Sequence, residues 1–242
     1  MSENRLILTL ILYLTIIVSS CKEKSTTKSS ETSSKKTLTD SLQNFSITKV
    51  TEYDFLKAKG KLQDQILYDT ALYKKNKGII KLPTEEKWHP FVVFTDTLTN
   101  TDDTNVRQYH YFGQLKEIGF YIIEGNFWEH YDCYLIDKAT GKKTTIWNIP
   151  TISPNNKFIA DIAPSGLDGD PIGLQIWNVA KNENNLNEPP TAIEKYLELN
   201  EQIWEPADLV WNSNNSLILK VSSIDNYNNE KIKNFYYLLL KF

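Results

Sequence analysis

Three histidines, a single cysteine in the body of the chain, and two acidic loops are the residues whose types and spacing suit chemistry. His89, His110 and His130 form neither an H-E-x-x-H motif nor an i, i+4 pair, so the helix-borne zinc signature is absent. His130-Tyr131-Asp132-Cys133 puts three ligand-type side chains close together. In a strand, however, His130 and Asp132 share one face and Cys133 points to the other. That placement predicts Cys133 as a small core residue and His130 as a rim residue. Gly-x-Ser-x-Gly does not occur, and Ser165-Gly166 has no strand-to-helix context around it. The loop Ser165-Gly166-Leu167-Asp168-Gly169-Asp170-Pro171 offers hard oxygen donors of the kind Ca²⁺ takes. It lacks the spaced ligands and distal Glu of an EF-hand, and Asp and Gly are also what a polar turn contains. Thr101-Asp102-Asp103-Thr104 reads the same way. The expectation is no catalytic residue, no metal site and no cofactor.

Six tryptophans are many for 242 residues. Trp147, Trp177 and Trp211 lie in strand-like apolar runs and are expected in the core. Trp88 and Trp128 sit in the polar contexts Glu86-Lys87-Trp88-His89 and Asn126-Phe127-Trp128-Glu129. They are the candidates for an exposed aromatic binding surface for a sugar or a peptide.

The amino-terminal segment carries an address. Arg5 precedes an apolar run from Leu6 to Val18, which is 13 residues long. A bilayer-spanning helix needs about 20, so this run has the length of a signal-peptide core. Val18-Ser19-Ser20-Cys21 resembles a lipobox, the recognition site of bacterial lipoprotein signal peptidases. The resemblance implies that residues 1–20 are removed and that Cys21 is lipidated. Each buried CH₂ contributes about 0.8 kcal/mol and one chain anchors only marginally; lipoproteins of this type carry two or three chains. Lys22-Glu23-Lys24 resembles the export signal of surface lipoproteins in Bacteroidetes-type bacteria, and the whole chain has the look of lipoproteins from such sources. These readings place the protein in the cell envelope, outer-membrane-anchored, facing the periplasm or the surface.

With Cys21 lipidated, Cys133 is the only thiol left, so no intramolecular disulfide forms and stability must come from a packed core. Residues 22–40 hold five Lys against two Glu and one Asp and almost no apolar side chain. Such a stretch cannot offset the entropy of ordering and is predicted to be a disordered tether. The net charge of −3 has no basic stripe, which argues against nucleic-acid binding.

Four parts result: signal peptide 1–20, lipidated Cys and tether 21–40, a helical lead-in 41–78, and a β-rich domain 79–242. Thr51-Glu52-Tyr53-Asp54 reads as a helix N-cap, with Phe55, Leu62, Ile66 and Tyr73 on one face. Gly60 divides that helix in two, and Asn76-Lys77-Gly78 ends it. From Gly78 the chain is a series of twelve short aromatic and β-branched runs separated by turn residues. Asp137 to Lys142 reads as a hairpin with Gly141 in the left-handed region, and Ser153-Pro154-Asn155-Asn156 as a turn. Residues 154–159 echo 213–218, and 133–137 echo 174–178, the pattern of stacked strand repeats.

Tyr134-Leu135-Ile136-Asp137, Thr140-Gly141-Lys142 and Ile152-Ser153-Pro154-Asn155-Asn156-Lys157-Phe158-Ile159-Ala160 together resemble a TolB-like or WD40-like propeller blade. Asn155-Asn156 stands where Asp-Gly is usual, and only residues 133–162 match well. The resemblance implies four-stranded antiparallel sheets. About 200 residues fill four blades at most, so both a propeller-like and an open, sandwich-like stack are expected alternatives. The fold class is thus mainly β, built of repeated antiparallel sheets with a short N-terminal helical segment.

The leading functional expectation is a non-enzymatic, membrane-tethered binding or scaffold module for a protein or a glycan. The alternatives are an envelope hydrolase with a loop-borne active site and a structural envelope component. A deep pocket with convergent ionisable groups favours the hydrolase; a shallow aromatic face favours the binding module.

Overall fold

The computed structural model describes residues 45–61, 65–97, 104–163, 171–180, 192–201, 203–223 and 234–242. The lipobox, Cys21, the tether, most of the loop at 165–171 and residues 101–103 lie outside this set. The elements are β1 (Ser46–Val50), α1 (Glu52–Lys59), β2 (Ile79–Pro83), β3 (Phe91–Thr95), β4 (Arg107–Leu115), β5 (Phe120–Phe127), β6 (Tyr131–Asp137), β7 (Lys143–Ile146), β8 (Thr151–Ile152), β9 (Phe158–Ala163), β10 (Gly173–Ala180), β11 (Ala192–Asn200), β12 (Trp204–Ser213), β13 (Ser216–Ser223) and β14 (Phe235–Lys241). They are mainly β, as expected.

The strands form three four-stranded antiparallel sheets and one ribbon. Sheet 1 runs β4-β5-β6-β7, sheet 2 runs β8-β9-β10-β11, sheet 3 runs β12-β13-β14-β1, and β2-β3 form the ribbon. Side chains alternate faces along a strand, and here both faces of each sheet are covered. The ribbon's Ile80, Leu82 and Phe94 pack on Tyr111, Tyr121, Ile123, Tyr134 and Ile136 of sheet 1. The other face of sheet 1 offers Phe120, Ile122, Cys133 and Leu135 to Ile152, Ile159, Trp177 and Val179 of sheet 2. Sheet 2 then meets sheet 3 through Ala160, Leu174, Ile176, Trp211, Leu217, Leu219 and Leu240. Phe55 and Ala58 of α1 cover Val210, Ile218 and Tyr237 on the outer face of sheet 3. The sheets pack as an open, sandwich-like stack, with a ribbon at one end and a helix at the other. This two-sided burial explains why Cys133-Tyr134-Leu135-Ile136 and Leu217-Ile218-Leu219 read as unbroken apolar runs.

The repeats seen in the sequence fall at equivalent places. Residues 154–159 and 213–218 each turn into the second strand of a sheet, while 133–137 and 174–178 are third strands. Gly141 (φ 73°) and Asn156 (φ 58°) occupy the left-handed region expected of them. Gly173, at φ 150°, opens β10 so close to β11 that a Cβ there would lie 1.9 Å from the Leu199 carbonyl oxygen. Only glycine fits that crossing.

The helical lead-in is the main correction. Helix α1 spans two turns and no more. Thr51 caps it, its hydroxyl accepting from the Asp54 N–H (3.3 Å) while the Asp54 carboxylate accepts from the Thr51 N–H (3.0 Å). It ends at Gly60. Residues 65–69 do not continue it. Leu67 exchanges two backbone hydrogen bonds with Gln114 at the free edge of β4 (2.9 and 3.1 Å). Gln65 Oε1 accepts from the Ile152 N–H of β8 (3.1 Å), and Asp69 accepts from the Tyr111 hydroxyl (2.6 Å) and from the Gln114 amide. The segment straps the inner edges of sheets 1 and 2, because an unpaired sheet edge gains more from backbone partners than an isolated helix turn does. β1 was likewise not expected as a strand; it joins β14, with Ser46 opposite Lys241 and Val50 opposite Tyr237.

Candidate functional site

The aromatic residues converge at one end of sheet 1. There the starts of β4 and β6, the end of β5 and the turn at 128–130 enclose a cleft of about 540 Å³. Its walls include Arg107, Tyr109, Phe127, Trp128, Glu129, His130, Asp132 and Tyr134. Strand alternation puts Asp132 and Tyr134 on the cleft side and Cys133 in the core between sheets 1 and 2, as the sequence predicts.

The floor is an interlocked set of rings. Tyr109 lies 5.1 Å from Phe94, 5.9 Å from Phe127 and 6.3 Å from Tyr134, centroid to centroid. The imidazole of His130 stacks on Phe127 at 4.4 Å with the planes 7° apart. The turn that permits this is closed by the Phe127 N–H donating to the His130 carbonyl (3.0 Å). Gly125 makes the room: a Cβ there would meet the rings of Phe127 and Tyr134 at 2.9 and 3.0 Å. Trp128 stays at the rim, 42% exposed.

Polar groups fix the orientation of this floor. The Tyr134 hydroxyl donates to Asp132 Oδ2 (2.7 Å), and burial together with that carboxylate pushes the phenol well above its usual range, so it remains a donor. Asp132 Oδ2 also lies 3.9 Å from His130 Nε2. Lys143 Nζ sits 4.6 Å from the centroid of the Tyr134 ring. Beneath Tyr109, its backbone N–H donates to Asp96 Oδ1 (2.9 Å), while Lys75 binds Asp96 Oδ2 at 2.6 Å. Arg107 exchanges backbone hydrogen bonds with Thr97, both 3.0 Å.

The two tryptophans expected to share a surface are not brought together. Trp88, 86% exposed, lies in the β2–β3 turn, whose Glu85 N–H donates to the Lys138 carbonyl beyond the end of β6 (2.9 Å). Trp128 precedes the start of β6. Seven residues of strand separate the two ends, roughly 20 Å. His89 and His110 are exposed and line no part of the cleft. Trp177 and Trp211 are buried as expected; Trp147 is only partly so, and Trp204 joins the core.

One buried polar group escaped the sequence reading. Asp161, inside Phe158-Ile159-Ala160-Asp161-Ile162-Ala163, is fully buried on sheet 2. Its carboxylate accepts from the Trp147 N–H (3.1 Å) and the Trp177 indole N–H (3.2 Å). Burial pushes its pKa up to about 7 against the opposing pull of those donors. Cys133 lies near it, and burial, with Asp161 adding to it, holds the thiol well above its usual range and so inert. The only signal in the sequence was a charged residue inside an apolar strand. Among the described residues no three His, Cys, Asp or Glu side chains converge as metal ligands. No family model, curated protein or solved structure matches the chain.

Proposed function

We propose that this protein is an extracytoplasmic lipoprotein, tethered to the membrane through Cys21, whose folded domain is a non-catalytic binding module. The single observation that carries the binding part is the cleft at the end of sheet 1: pre-formed, ring-floored, and rimmed by Trp128. Clefts of this volume lined by aromatic rings and fixed polar groups are where ligands bind. Among the described lining residues His130 has no Ser or Cys beside it, while Thr104 and the carboxylates of Glu129 and Asp132 do line the cleft, so a check for turnover belongs with any binding test. The anchoring part is supported by the resemblance of residues 18–21 to a lipobox.

Anchoring is tested by metabolic labelling with palmitate and fractionation of cells expressing the full chain. Cys21→Ala is expected to lose the label and to leave the membrane fraction. A variant that remains fully membrane-bound overturns the lipoprotein reading.

A further inference from the structure

We propose that the cleft walled by Arg107, Tyr109, Trp128, Asp132 and Tyr134 is a glycan-binding site, with a sugar ring laid on Trp128 and its hydroxyls paired to Asp132 and Arg107. This deepens the binding-module reading and rests on it.

Three features select a sugar over a peptide. The first is the position of the cleft. Extended peptides are captured mainly by adding a strand to an open sheet edge. Here the cleft lies on a sheet face. β5 pairs on both sides, β6 pairs with β5 along its whole length and with β7 from Cys133 onward, and β4, at Arg107, is already paired with Thr97. The second is charge. The Arg107 guanidinium stands among the carboxylates of Glu129 and Asp132 and the imidazole of His130, so the walls carry both signs and no single-sign field favours a charged polymer. Opposite charges side by side do suit neighbouring hydroxyls, each of which both donates and accepts. The third is rigidity. The Asp132–Tyr134 hydrogen bond, the ring stack on Phe127 and the space left by Gly125 hold the polar groups and ring faces in place before any ligand arrives. A cleft of about 540 Å³ suits a short oligosaccharide stretch.

The test is isothermal titration calorimetry on the full-length lipoprotein in a detergent without a sugar headgroup. One arm uses cello-, xylo-, malto- and chito-oligosaccharides; the other uses lysine-rich and proline-rich peptides. At least one oligosaccharide series is expected to bind saturably. Trp128→Ala and Asp132→Asn should each weaken that binding roughly ten-fold or more, with unchanged circular dichroism. Trp88→Ala should leave it unaltered. Peptide binding that depends on Trp128, with no sugar response, overturns the glycan assignment and leaves the binding module standing. Sugar binding indifferent to Trp128 and Asp132 overturns the site, as does the absence of any sugar response. New reducing ends appearing during incubation leave the glycan assignment intact and overturn the non-catalytic reading.

Discussion

Asp161 shows how one side chain sets a property of the whole. Its folded pKa, about 7, lies above the ordinary aspartate value of about 3.9, so the folded state holds a proton that the unfolded state gives up. The sign follows directly. The contribution is fully present below about pH 4 and is lost as pH rises through about 7, because an ionised carboxylate must then stay buried. Asp161→Asn removes that titration while keeping one acceptor oxygen for the Trp147 and Trp177 donors. Denaturant titrations at pH 5 and pH 8 should therefore show a smaller gap in the variant than in the wild type. A gap of unchanged size would mean that Asp161 is ionised throughout. Cys133 illustrates what was legible at this scale: alternation along His130-Tyr131-Asp132-Cys133 placed it in the core and put Asp132 on the other face, where the cleft formed. Asp161 was not legible. An acidic residue between Ala160 and Ile162 has no local pattern that tells a buried carboxylate from a strand end.

At the scale of elements, the strap at residues 65–69 is the piece most exposed to a single change. Leu67 both donates to and accepts from Gln114, and Gly113 lets it approach, since a Cβ there would sit 2.8 Å from the Leu67 carbonyl oxygen. Leu67→Pro removes the donor and should cost about 1–3 kcal/mol. The freed edge of β4 should also raise the tendency to self-associate, which light scattering during thermal melting would report. Melting without aggregation and at the wild-type temperature would show that the strap contributes nothing. All twelve strands expected after Gly78 are present because their two signals, β-branched or aromatic runs and turn residues, agree at each step. β1 failed on the first signal: Ser-Ile-Thr-Lys-Val continues the polar composition of the tether, and its strand state is imposed by β14. β8, two residues long, gives too little pattern to detect. The strap failed because apolar residues at helical spacing, Ile66 and Tyr73 among them, were recruited by tertiary packing on sheet 1 instead.

The molecule as a whole is a stack in which every four-stranded sheet is covered on both faces, and the cleft arises where sheet 1 outruns its cover. β1 and α1 are part of this stack. A chain beginning at Ser41 is expected to fold, because β1 is intact. One beginning at Thr51 loses the five-residue pairing with β14 and leaves that edge open. Size-exclusion chromatography should give a monodisperse peak for the first and aggregate for the second; equal behaviour would mean that β1 is dispensable. The same pairing has a temporal side. Sheet 3 takes its outer strand from residues 46–50 and the neighbour of that strand from residues 235–241, so β1 emerges from the ribosome long before its partner exists. Closing so long a loop is entropically demanding and slows folding. Sheet 3 therefore cannot close until residues 235–241 have been made, so its completion acts as a clock that marks the end of synthesis.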